Sequence, residues 1–199
     1  MTVTTENFDT TTAGTVVSSG DTVGGITFTH AIGGGIELAV TDGDQFGGGG
    51  PFSTTSGANF LGTTDFDTLV GGDDPTMSFA ASNAIGLYII TPNVDPDVDI
   101  FDNDLALVVG GTEALLTLAD VQTSFTLSDG SDVYFLGIVD TMSTFTSASI
   151  VTDSYALGAI FFNVDDIVTA VAQVPEPGTL AIFGLGLAGL GLARRRRRA

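Results

Sequence analysis

Every apolar run in residues 1–172 is short, and that restricts the fold more than any other feature. Ile26-Thr27-Phe28-Thr29, Ile36-Glu37-Leu38-Ala39-Val40 and Met77-Ser78-Phe79-Ala80 alternate, or nearly alternate, until a turn-forming residue interrupts. Phe125-Thr126-Leu127 and Val133-Tyr134-Phe135-Leu136 do the same. A period of two sends successive side chains to opposite faces, and Thr, Val, Ile and Phe suit a pleated surface. No stretch holds apolar residues at helical spacing long enough for a convincing amphipathic helix, although 112–122 leaves room for one turn around Ala119-Asp120-Val121. Asp129-Gly130 signals a hairpin between 123–127 and 133–139, and Gly110-Gly111 a turn between 105–109 and 114–118. Gly47 to Gly50, followed by Pro51, reads as a flexible loop. Ten or more short strands without α/β alternation predict an all-β domain over residues 1–172, an antiparallel β-sandwich of jelly-roll type. A β-helix is the alternative, but no fixed-period repeat supports it.

Charge narrows the partners. The chain carries 24 carboxylates, all before Arg194, and its 5 cationic side chains of Lys or Arg type all come after residue 193; the net charge is −19. Such a body repels nucleic acid and anionic headgroups, so no nucleic-acid partner is expected. Its carboxylates have no cation to pair with and must be solvated, capped by backbone N–H groups or neutralised by metal ions. A hydrophobic content of 43% separates the chain from disordered acidic sequences. Adaptation to a saline medium is the first reading of the acidity, and calcium binding the second. The absence of Cys excludes disulfides, thiolate catalysis and Cys-ligated metal centres.

Near residue 173 the texture changes. Val174-Pro175-Glu176-Pro177-Gly178 reads as a linker over 173–178, because two prolines remove donors and fix φ. Residues 179–193 are uncharged and almost wholly apolar. As a helix they would span about 22 Å at about 1.5 Å per residue, short of a hydrocarbon core of about 30 Å. Pro177, Gly178 and the stems of the following arginines can extend that reach. A transmembrane helix over 179–193 and a basic cytoplasmic tail over 194–199 are therefore expected. Arg194, Arg195, Arg196, Arg197 and Arg198 would act as a stop-transfer and orientation signal, since basic flanks stay on the cytoplasmic side. A nuclear-type basic patch is the bland alternative, and the adjoining apolar segment argues against it.

This three-part tail resembles the PEP-CTERM sorting signal of exported bacterial proteins. The resemblance covers residues 174–198 and rests on Pro175-Glu176-Pro177, the Gly/Leu/Ala segment and the terminal arginines. It implies recognition by an exosortase, a membrane protease-transpeptidase, with Pro175, Glu176 and Pro177 as the recognition element and cleavage close to them. It also implies export, a membrane-anchored stage, then a place at the cell surface or in an extracellular matrix, with extracellular polysaccharide as a candidate partner. Proteins of that group normally start with a signal peptide. Met1 to Thr10 shows neither a basic n-region nor an apolar run, so a trimmed or misassigned start is expected. Phe60-Leu61-Gly62, Ala84-Ile85-Gly86-Leu87-Tyr88, Phe135-Leu136-Gly137-Ile138 and the run from Phe161 to Ile167 look like strings in the sandwiches ahead of such tails.

Candidate chemistry is sparse. Asp95, Asp97, Asp99, Asp102, Asn103 and Asp104 form the densest acidic stretch, and calcium is held by several hard oxygens. The EF-hand pattern fails there, with Ile100 at the turn glycine and Ala106 at the closing Glu. A solvated edge whose charges discourage aggregation is the competing reading. Asp73-Asp74 reads as turn chemistry that could lend oxygens to calcium. Asp165-Asp166 interrupts an apolar run, so one should point out while the other caps a loop. His30, the lone histidine, has no Cys or second His for a metal, and no nucleophile turn accompanies it. Two carboxylates could run a glycosidase, but nothing selects the pair; the chain also lacks Trp as a sugar platform, for which Phe and Tyr substitute less well. A non-enzymatic surface or matrix protein, structural or adhesive, is therefore expected. A calcium-dependent carbohydrate-binding module is second, and a carboxylate-dependent glycan hydrolase third.

Overall fold

A computed structural model of the chain describes residues 2–47, 54–91, 102–117, 125–152 and 161–171. In chain order the strands are β1 (Thr2–Glu6), β2 (Thr15–Val17), β3 (Thr22–Val23), β4 (Ile26–Thr29), β5 (Leu38–Thr41), β6 (Phe60–Thr63), β7 (Leu69–Val70) and β8 (Thr76–Ser82). They continue with β9 (Ala84–Thr91), β10 (Asp102–Val109), β11 (Thr112–Thr117), β12 (Phe125–Thr126), β13 (Asp132–Val139), β14 (Phe145–Thr152) and β15 (Phe161–Val171). One sheet runs β12-β13-β9-β15-β6-β5-β2, with β1 and β7 also paired to β15; the other runs β11-β10-β14-β8-β4-β3. Neighbouring strands run antiparallel, as in β13 on β9 and β10 on β14.

The inner faces of both sheets meet in one core. Leu87 and Ile89 of β9, Leu136 of β13 and Phe162 and Val164 of β15 pack with Phe28, Met77, Leu105, Leu107 and Ile150 from the second sheet. Alternation explains the placement: in β13, Tyr134, Leu136 and Ile138 turn inward while Phe135 and Val139 face out, 54% and 65% exposed. Burial raises the Tyr134 phenol to about 12. Gly110 and Gly111, at φ 54° and 89°, make the tight β10–β11 turn that glycine permits. At the β12–β13 hairpin the Leu127 N–H donates to the Ser131 carbonyl and the Gly130 N–H to the Leu127 carbonyl.

One expectation needs correction. The sequence predicts a jelly-roll-like sandwich with one C-terminal hydrophobic helix. The antiparallel sandwich fits, but the described residues are all strand, turn and loop, with no helix among them, and their sheets hold nine and six strands. None of them forms a helix long and apolar enough to cross a membrane. The proposed helix over 179–193 lies outside the described residues. Of the stretch 112–122, residues up to Thr117 form strand β11 paired with β10, and the turn allowed around Ala119-Asp120-Val121 lies outside the described residues.

Candidate functional site

The outer face of the larger sheet is built in two ways. Over β15 and β6 it is covered by loops that aspartates hold down. Asp165 and Asn163 point away from the core yet are fully buried. A register shift between Asp165 and Val168 bulges β15, with Asp166 at φ 48°, and brings both carboxylates to the loop at Thr55. Asp165 Oδ2 accepts from the Thr55 N–H at 2.9 Å, the Thr55 hydroxyl at 2.8 Å and the Ser56 N–H at 3.2 Å. Asp166 accepts from the Thr55 and Ser56 hydroxyls at 2.8 and 2.9 Å. Thr55 Oγ1 carries one proton for two carboxylate oxygens, so a proton on the Asp165 carboxyl completes the set. Burial pushes the Asp165 carboxyl up to about 6.

Three more carboxylates work in the same manner. Asp67, fully buried at φ 60°, accepts from the Thr41 hydroxyl and from the Phe46 N–H at 2.9 Å. Asn163, its amide nitrogen turned toward the carbonyls, donates to the Asp67 carbonyl at 3.1 Å. Asp9 takes the N–H groups of Ala58 and Asn59 at 2.8 and 3.2 Å. Asp74 takes the Thr152 N–H and hydroxyl, each at 2.8 Å. With no lysine or arginine among the described residues, backbone N–H and hydroxyl groups supply the hydrogen bonds that cations would otherwise provide. Asp73 closes the turn after β7 by accepting from the Val70 N–H at 2.7 Å, and burial lifts its carboxyl above the usual range.

Over β9, β13 and β12 the same outer face carries aromatic rings. Gly86 and Gly137 face each other across β9 and β13, next to the facing pair Tyr88 and Phe135. The far edge of the Phe135 ring lies over both glycines: a Cβ on Gly86 would fall 2.3 Å from its Cζ, and one on Gly137 2.9 Å from its Cε1. Tyr88 stands beside this ring, centroids 5.3 Å apart and planes at 62°. Phe125 also meets Tyr88, at 6.2 Å between centroids and 77° between planes, and is 46% exposed.

Two other places bring polar groups together. His30 Nε2 lies 3.2 Å from both the Val17 carbonyl oxygen and Glu37 Oε2, and one N–H cannot serve both. The ring's Nδ1 is buried and has no hydrogen-bond partner among the described residues. The Ser19 hydroxyl accepts from the His30 backbone N–H at 3.1 Å, and among the described residues no cluster of three or more His, Asp or Glu is placed to hold a metal. An open groove of about 500 Å³ runs between the β10–β11 turn and the β13–β14 loop, lined by Val109, Thr112, Ile138, Asp140, Ser143 and Phe145. Asp140 is the one carboxylate in its lining; the Ser143 hydroxyl holds it below the usual range. Glycoside hydrolysis calls for two facing carboxyl groups.

The sequence-derived sites fall elsewhere. Asp95, Asp97 and Asp99 lie outside the described residues, as do Pro175, Glu176, Pro177 and Arg194 to Arg198. Asp102, Asn103 and Asp104 open strand β10, where the backbone alone is described. For Asp165 and Asp166 the capping expectation holds, but both carboxylates grip the loop and neither is spent on solvent alone. Sequence reading missed the aromatic row. The strings Ala84 to Tyr88 and Phe135 to Ile138 carry the outward glycines and rings in alternation, a signal that becomes legible once their register is known.

Fold and surface together define an acidic β-sandwich module. Residues 173–198 match the family model of the PEP-CTERM protein-sorting motif. The chain thus carries a C-terminal sorting signal, which marks an exported protein processed by an exosortase at the membrane. No curated protein matches the chain.

Proposed function

We propose that this protein is a non-enzymatic surface or extracellular-matrix module, structural or adhesive in role, delivered by its C-terminal signal. The observation that carries the reading is the sorting motif over 173–198. The apolar residues 179–193 hold the tail in the membrane, and Arg194 to Arg198 keep its end on the cytoplasmic side. Pro175, Glu176 and Pro177 present the recognition element, and processing releases the sandwich to the cell surface or matrix. The acidic body supports this destination: it stays soluble and repels anionic headgroups.

The test is made in a host that carries an exosortase. Glu176→Ala should leave the unprocessed chain accumulating in the membrane fraction, read as a higher-mass band. Replacing Arg194 to Arg198 with Gln should instead disturb orientation, read by protease access to the tail. Processing of Glu176→Ala at the wild-type rate would refute the recognition element.

A further inference from the structure

We propose that the row Phe125, Tyr88 and Phe135 on the outer face of the larger sheet is a binding platform for the ring faces of a neutral polysaccharide. This deepens the adhesive reading and rests on it for its biological setting. The geometry is that of a base with an upright neighbour. Phe135 reclines on the facing glycines Gly86 and Gly137, whose missing side chains leave the space its ring fills. The tip of its ring lies against both glycines, and 54% of the residue remains exposed to solvent. Tyr88 stands beside it with the ring planes at 62°, and Phe125 is a second ring neighbour of Tyr88 with planes at 77°.

The chemistry of the ligand follows from charge and shape. An aromatic face is negative and its edge positive, so the face favours C–H groups that carry partial positive charge. A pyranose ring presents such C–H groups on one flat side and hydroxyl groups around its rim. Anionic sugars are disfavoured: the chain has a net charge of −19, and no lysine or arginine lies among the described residues to bind a carboxylate or sulfate. A cationic ligand would suit the charge. An exposed ring contributes only about 0.5–1 kcal/mol to a cation, however, and more requires desolvation; here the rings leave the position above Phe135 open. A repeating neutral chain instead engages several rings at once, and the weak contacts add up. The row is also set on a rigid support. Its strands β9 and β13 pair without interruption from Asp132–Thr91 to Val139–Ala84, so the backbone positions that carry Tyr88 and Phe135 are fixed before the ligand arrives.

The experiment uses the full chain in a polyoxyethylene detergent, which carries no sugar headgroup to compete. Its migration is followed in native gels containing dissolved neutral glucans, mannans or galactans, and in matched gels of carboxymethylated polymer. We expect retardation by at least one neutral polymer and none by its carboxymethylated form. Phe135→Leu keeps apolar bulk but removes the flat face, and should weaken retardation about tenfold, the equivalent of about 1.4 kcal/mol. Tyr88→Phe, which keeps the upright ring, should weaken it only a few-fold. Melting curves check that each variant is folded; should Phe135→Leu fail that check, Gly86→Ala, which forces the ring off its seat, takes its place. No retardation by any neutral polymer would overturn the proposal, and so would equal retardation of wild type and Phe135→Leu. Tetramethylammonium shows whether the row is a cation site: a ring-current shift of its methyl signal, lost in Phe135→Leu and unaccompanied by glycan retardation, would also overturn it. Each failure leaves processing of the sorting motif in cells untouched, so it is distinguishable from failure of the proposed function.

Discussion

Gly62 and Gly86 occupy equivalent positions on the outer face of one sheet, yet what lies above them differs in kind. A Cβ on Gly62 would fall 2.1 Å from the carbonyl oxygen of Asp67, a backbone atom in a loop tied down by a buried carboxylate. A Cβ on Gly86 would fall 2.3 Å from the tip of Phe135, a half-exposed side chain. The distances are similar, but the neighbours can yield to very different degrees. The β6–β15 half of the face is closed by chain and fixed by aspartates. The β9–β13 half is closed by rings that can move. A sheet face sealed by backbone contributes to stability, whereas one dressed with half-exposed rings remains available to a ligand.

The largest effect expected from this contrast is that of Gly62→Ala. The Asp67 loop would have to lift, and with it the hydrogen bonds to Phe46 and Asn163. Overpacking of this kind costs about 1–3 kcal/mol, and breaking a buried hydrogen-bonded carboxylate adds to it. A loss of about 3 kcal/mol or more in urea unfolding is expected. A loss under about 1 kcal/mol would show that the loop is not fixed as described.

Next in size is the pH dependence carried by Asp165. Burial lifts its carboxyl from 3.8 to about 6 in the folded chain. Below about 4 the group is protonated in both states and burial costs nothing. As pH rises from 4 to 6 the unfolded chain ionises first, so folding stability falls and the contribution is lost once the folded group ionises. Asp165→Asn, which cannot ionise, should remove this decline from the stability-pH curve, with an overall loss of about 1–3 kcal/mol from the altered acceptor set. Comparing slopes isolates Asp165 from the general repulsion of a chain at −19. Identical slopes in both proteins between pH 4 and 6 would rule Asp165 out as the source.

These two sites show why part of the molecule was legible beforehand and part was not. Ile26 to Thr29 is the strand its alternation predicts, and Gly110-Gly111 and Asp129-Gly130 turn the chain as their conformations require. Such features depend on neighbours in sequence. The partner of Asp165, Thr55, is 110 residues away, and Asp74 caps Thr152 at a separation of 78. Nothing local announces either contact. The glycines under Phe135 depend equally on the register of β13 against β9, which alternation alone does not specify. A carboxylate in an apolar run does signal that something must satisfy it, and that much was readable at Asp165.

Cations should have a smaller effect, spread over the whole surface. Raising sodium chloride from about 10 mM to about 1 M shortens the screening length from about 30 Å to about 3 Å. It should therefore raise the melting temperature of a chain at −19. Millimolar calcium at matched ionic strength should add a further increment if it binds through Asp95, Asp97, Asp99, Asp102, Asn103 and Asp104, by mass action on the folded state. Equal shifts for the two salts would discard the calcium site and leave screening as the whole effect.

The smallest expected change in stability, and the sharpest test of the contrast between the two halves, belongs to Gly86→Ala. An alanine in the interior of β9 recovers some of the conformational entropy that glycine loses on folding. Against that gain stands the contact with Phe135, whose ring must swing off the strand. Phe135 is already 54% exposed, so it has room to rotate and gives up few buried contacts. The two terms oppose each other, and a net change under about 1 kcal/mol is expected. The surface changes far more than the stability does, because the ring can no longer recline beside Tyr88. A folded Gly86→Ala protein should therefore melt like the wild type yet lose its retardation by neutral polysaccharide. A stability loss as large as that of Gly62→Ala would mean that the Phe135 ring is locked in place by its surroundings. The aromatic row would then be part of the fold's own packing, and the division of this face into a sealed half and an available half would fail.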